Sequence, residues 1–359
     1  MEGMERHVAK YENQSPEPEV EVYIKQLLES IDSEELTRFL SEQLRPAGFD
    51  EVELRNRFFR LKETTILEQI PSAVAWADGE RINFEPKNFF VGVHKLQAHI
   101  EQKITPGNHH DREVQFYEIA KIQLLNTFIH EQLHHLTFTG YYINKEERKV
   151  DGVERVFTRQ AGVERQILKR EVRLANTGDE TDELVAFENR HFFRGLNEGL
   201  TELIAQKLTV EYMRQYAVIN DQNIVREAPS FLTESGAYKK ERYMVEQLAA
   251  VFAEMTDVPY DIVLKSFYRE YVTNGHLLPP EFVDVIAEYL PDSVDKDNLE
   301  SGIASLTHSM TAESFENDDT LAKKLERLVA FLPEDKATHC QQTLTEIQHK
   351  YYPDRSSKQ

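Results

Sequence analysis

The chain has 359 residues, 40% of them hydrophobic and 29% charged, with a formal net charge of −21. Such a composition excludes a largely disordered protein, and so negative a field argues against a nucleic-acid or anionic-membrane binder. A single cysteine, Cys340, excludes an internal disulfide and any cysteine-rich zinc module, and no run approaches the ~20 apolar residues of a membrane span.

The first residues show no basic start followed by an apolar run, so no secretory signal is read there and a cytoplasmic location is expected by default. Residues 1–19 end in the Pro- and Glu-rich ENQSPEPEV, a lead segment. From Glu19 to about Leu44 apolar pairs alternate with charges at helical spacing, and SIDSEEL offers an Asp or Ser cap for a second helix. Residues 51–78 read as a helix through VELRNRFFRLKETTILEQI and then a short strand at SAVAWA. RINFE, after the turn at Asp78-Gly79, reads as a hairpin or edge strand.

GNHHDRE is a loop leading into a helix over about 111–136. Its Ile119, Ile122, Leu125, Ile129, Leu133 and Leu136 fall at steps of three and four and form one apolar stripe. TGYYIN stops it. Residues 141–175 alternate, with Gly152 and Gly162, as a hairpin or irregular strands. A second long helix is predicted from about Glu188 to Tyr212. Residues 236–290 read as several helices broken at Pro259, Gly275 and Pro279-Pro280, and residues 292–359 as two charged amphipathic helices.

The chemistry concentrates in TFIHEQLHHLTFTG. His130 and His134 are four residues apart, so their side chains lie one above the other on one helical face and can share an ion. Glu131 is rotated by about 100° from His130, away from chelation but within reach of a metal-bound water. That is the physical content of an H-E-x-x-H helix. A catalytic zinc keeps three protein ligands, so one more is required. A histidine six residues beyond His134 would be one solution, but Gly140 stands there; His135 points away, and His191 lies far along the chain. GLNEGLTEL supplies the better candidate. Glu198 and Glu202 are again four apart on a helix whose other face is apolar, and two carboxylates beside a core call for a counter-charge. Glu198 could ligate, and Glu202 could accept the N–H of a ligand histidine and fix its tautomer.

His130-Glu131-x-x-His134 followed by Asn197-Glu198-x-x-Thr201-Glu202 resembles the gluzincin branch of the zinc metallopeptidases, the thermolysin-like group. The resemblance covers about residues 72–290 and DGERINF within it is similar to the edge strand that flanks substrate in zincins. It implies an α+β, predominantly helical, zincin-like two-lobed fold with a small sheet in the N-terminal lobe and the cleft between the lobes. It implies one Zn²⁺ per chain held by His130, His134 and Glu198, with Glu131 as general base and Glu202 and Asn197 supporting the ligands. Glu202 stands where thermolysin has Asp, and the spacer before Glu198 is longer than in thermolysin. The family draws an oxyanion donor from beyond the third ligand. Tyr238 is the first choice, at a loop–helix junction, ahead of Tyr243 and His276. His109 and His110 are read as a solvated loop rather than a second metal site.

The expected organisation is an N-terminal helical extension (1–70), a metallopeptidase domain (71–290) and a charged helical segment (291–359). The expected substrate is a peptide or protein. The terminal helices offer amphipathic faces to a protein partner or to the catalytic unit itself. The competing reading from another class is a non-catalytic zincin-like scaffold that retains the zinc site; the intact Glu131 favours the enzyme.

Overall fold

A computed structural model describes residues 18–45, 65–66, 75–77, 82–103, 109–137, 139–149, 152–162, 164–173, 183–192, 194–235, 237–273, 280–289 and 328–352. They are predominantly helical. In chain order they form α1 (Pro18–Glu29), α2 (Ser33–Leu44), β1 (Thr65–Ile66), β2 (Ala75–Ala77), β3 (Ile82–Phe84), α3 (Pro86–Lys103) and α4 (His109–Leu136). Four strands follow, β4 (Thr139–Lys149), β5 (Gly152–Ala161), β6 (Glu164–Arg173) and β7 (Glu183–Phe192). The rest is helical: α5 (Arg194–Tyr216), α6 (Gln222–Ser235), α7 (Lys239–Thr256), α8 (Tyr260–Thr273), α9 (Pro280–Tyr289) and α10 (Glu334–Tyr351). No helix among the described residues is long and apolar enough to cross a membrane. The described residues fall into two compact units, one drawn from positions 1–136, 201–239 and 350–359, the other from 137–200 and 240–349.

In the first unit, α1 stops at Glu29 and α2 restarts because Asp32 caps it. The Asp32 carboxylate accepts the N–H groups of Glu34 and Glu35, each at 3.0 Å. A small sheet has the order β1-β3-β2, with β1 parallel and β2 antiparallel to β3. RINFE is thus half of a hairpin, as the alternation suggests, but it is the middle strand and not an edge; Ile82, Asn83 and Phe84 are all buried accordingly. Thr65 and Ile66 are strand where a helix was expected, and the remainder of that expected helix lies outside the described residues.

The expected apolar stripe of α4 is buried throughout, from Ile119 to Leu136. The burial extends further than a stripe, however, since every residue from Leu124 to His130 is buried. α4 is therefore a central helix. Polar groups on it must find partners inside the protein, because an unpaired buried polar group costs several kcal/mol in round figures, about 2–7 by transfer scales.

The second unit carries the antiparallel meander β4-β5-β6-β7. Regular pairing runs the length of β5 and β6, from Gly152 opposite Arg173 to Ala161 opposite Glu164. The segment is thus more regular than irregular strands, and β7 occupies Glu188–Phe192, which the sequence places in the second long helix. That helix begins at Arg194 instead and runs to Tyr216. No Pro or Gly stands between Glu183 and Arg194 to mark the boundary, which hides it from the sequence. Helix α7 is the core of this unit, with Met244, Val245, Leu248, Ala249, Val251 and Phe252 buried. Pro259 opens α8 after a turn in which Asp257 has φ +56°, and Pro280 opens α9, as the expected breaks require. Helix α10 is fastened to the end of α7: Lys336 Nζ lies 2.8 Å from Asp257 and donates to Glu254 O at 2.9 Å. The first of the two expected C-terminal helices, and Gly275, fall outside the described residues.

Candidate metal centre

His130 is 5% exposed, in the buried stretch of α4, whereas Glu131, His134 and His135 are half-buried. The His130 and His134 Nε2 atoms lie 3.0 Å apart, with the two rings nearly perpendicular at 74°. Two nitrogens held at ~2.05 Å from a tetrahedral zinc would be about 3.3 Å apart. The two Nε2 atoms thus lie close to the separation that one shared ion demands.

Helix α5 brings up the carboxylates. Glu202 is 2% exposed, and its Oε2 sits 2.8 Å from His130 Nδ1. Its other oxygen, Oε1, accepts from Asn126 Nδ2 at 2.9 Å and from Gln206 Nε2 at 2.8 Å. An ionised carboxylate only accepts, so in a neutral His130 ring this contact assigns the hydrogen to Nδ1 and leaves Nε2 its lone pair. Glu198 is one turn earlier on α5 and half-buried. One of its oxygens and the ligand nitrogens of His130 and His134 all lie within 4.8 Å of one another. Compared with the ~3.3 Å of an ideal tetrahedron, the carboxylate has at most about 1.5 Å to close.

Glycine lets α5 approach its neighbours. A Cβ on Gly199 would sit 2.6 Å from the backbone O of Glu241 and 2.7 Å from its carbonyl carbon, so only glycine admits the first turn of α7 beside Glu198. Burial, and then the charge of Glu198, hold the Glu241 carboxyl above the usual carboxylate range, against a lowering backbone hydrogen bond. Asn197, 2% exposed, packs under the β5–β6 turn. Gly162 there has φ +57°, and a Cβ on it would meet Asn197 Oδ1 and the Tyr271 ring, each at 2.4 Å.

Tyr238, on the turn before α7, is 39% exposed and lies flat against His130, with ring centroids 5.4 Å apart and planes 6° apart. Its φ is +54°, a left-handed conformation that a bulky residue adopts at a cost of about 1–2 kcal/mol. Of the other residues weighed from sequence, Tyr243 is half-buried on α7, His191 is on β7, and His109 and His110 begin α4 rather than a loop. His276 lies outside the described residues.

Asn126 and Gln206 are the residues that sequence reasoning missed. The signal was the spacing already in use: Asn126, His130 and His134 step by four along α4, and Glu198, Glu202 and Gln206 step by four along α5. The donor set, two imidazole nitrogens and a carboxylate with an oriented, buried first histidine, suits a zinc-like divalent ion. Compared with protein-family models, with curated proteins and with solved structures, the chain shows no significant match to any.

Proposed function

We propose that the chain is a zinc-dependent peptidase with the two-lobed organisation of the gluzincins, acting on a peptide or protein substrate. The observation that carries this reading is the convergence of His130, His134 and Glu198 with an acid, Glu131, directly after the first ligand. His130, His134 and Glu198 would hold the ion. When bound, zinc supplies a Lewis acid that brings the pKa of water to about 7 and polarises a carbonyl.

The remaining chemistry belongs to the chain. Glu131 takes the proton of the attacking water and passes it to the leaving amine as the C–N bond breaks. Glu202 would keep His130 in the tautomer that leaves its Nε2 lone pair available to the ion. Tyr238, exposed and fixed on the His130 ring, offers its hydroxyl to the charge that develops on the carbonyl oxygen. Placement in the cytoplasm belongs to the same proposal.

The test is Glu131→Gln assayed against a broad peptide library. Retained zinc with cleavage reduced by 100-fold or more, about the contribution of a general base, supports the peptidase. A wild-type protein that holds zinc yet cleaves nothing favours the scaffold reading.

A further inference from the structure

We infer that Asn126 and Gln206 are positioning residues for His130, acting through Glu202. The inference rests on the metal-site reading above and extends it by one layer of side chains.

Glu202 is buried to 2% exposure in the midst of α4, α5 and α6, where nothing but neighbouring side chains and backbone can orient it. A lone carboxylate opposite an imidazole can rotate about its last torsion and present either oxygen. Here that freedom is removed. Oε1 accepts two amide hydrogens, from Asn126 at 2.9 Å and Gln206 at 2.8 Å, so Oε2 alone faces His130 Nδ1 at 2.8 Å. Gln206 is itself fixed, because its Nε2 also donates to Leu232 O at 2.9 Å near the end of α6. Both hydrogens of one amide are thus spent, one on the carboxylate and one on a helix carbonyl.

Asn126 and Gln206 are 5% and 7% exposed. Asn126 Oδ1 is buried without a hydrogen-bond partner among the described residues. An asparagine that leaves its acceptor unmatched in order to donate to a carboxylate is costly as packing. It makes sense as orientation. The chain of contacts runs from the α6 carbonyl through Gln206, Glu202 and His130 Nδ1 to the Nε2 atom 3.0 Å from His134. Each member narrows the angular freedom of the next.

The experiment has two arms. In the first, ¹⁵N NMR on metal-free wild-type protein reads the His130 tautomer. Hydrogen on Nδ1 is expected, and the Nε2–H form overturns the inference without any variant. In the second, Gln206→Met and Asn126→Leu, which keep side-chain volume and remove the donors, are compared with wild type by zinc competition against a chelating dye. Loss of donors should weaken zinc binding about 10–100-fold, the usual effect of removing a ligand's hydrogen-bonded support, and mix the His130 tautomers. Variants that are less stable but keep the wild-type zinc affinity and tautomer overturn the inference, since lost packing alone gives that result. If wild-type protein binds no zinc, the metal reading fails while the tautomer comparison still decides the positioning role. If either variant fails to fold, Asn126→Ala or Gln206→Ala is read in its place by the same two measurements.

Discussion

Gly199→Ala separates a packing requirement from helix propensity by the sign of its effect. In an unencumbered helix interior, alanine is better than glycine by about 1 kcal/mol. Here the new methyl would lie 2.6 Å from Glu241 O, 2.7 Å from Glu241 C and 3.0 Å from Val245 Cγ2. Ordinary contact begins at 3.4 Å, so the first turn of α7 must retreat by about 0.8 Å, and the obstructing atoms are backbone rather than a side-chain tip. Overpacking of this kind costs about 1–3 kcal/mol. With clashes on two backbone atoms the upper half of that range applies, and the net effect is destabilisation by about 1–2 kcal/mol. Urea unfolding should show a lower midpoint at unchanged slope. Because Glu198 is the adjacent residue, zinc affinity should fall as well. A variant more stable than wild type by the propensity gain would refute the close approach of α5 and α7.

Three further outcomes follow from other parts of the molecule. Tyr238→Gly should leave stability within about 1 kcal/mol of wild type, because relief of the φ +54° strain offsets the lost stacking on His130, while the proposed peptidase activity falls; a large loss of stability in a thermal melt would contradict this. Asp32→Ala should cost about 1 kcal/mol through loss of the two N–H contacts that start α2, and unchanged urea unfolding would contradict the cap. Burial pushes the Cys340 thiol up to about 12, with the charge of Glu254 adding to it, from an ordinary 9.0. The unfolded thiol therefore releases its proton before the folded one. Its stabilisation is complete below pH 9 and is lost as pH rises toward 12, by at most about 1.4 kcal/mol per unit. Against Cys340→Ala, the wild type should lose stability more steeply above pH 9; parallel curves would contradict the burial.

Much of the candidate centre was legible because helical geometry converts spacing into proximity. His130 and His134, and separately Glu198 and Glu202, share a face by period alone, and the need to neutralise two carboxylates beside a core linked the two helices. The Asp32 cap and the breaks before Tyr260 and Pro280 were legible for a similar reason: each rests on local chemistry. What stayed hidden depends on partners distant in the chain. RINFE alternates as any short strand does, and nothing within it says that β1 would cover its second edge. Strand β7 runs almost directly into α5, with Phe193 alone between them in sequence and no Pro or Gly from Glu183 to Arg194 to mark the change. Asn126 and Gln206 read as ordinary polar residues until Glu202 is seen between them. The turn geometry at Tyr238, with its strained backbone, carries no sequence signature for a residue other than glycine or asparagine.

The most direct measurement is metal content after equilibration with zinc, in wild type and in His134→Ala and Glu198→Ala. One zinc per wild-type chain, with both variants weakened together, is the expected result. Wild-type chains without zinc, or full retention when Glu198 is removed, would contradict a single ion shared by α4 and α5.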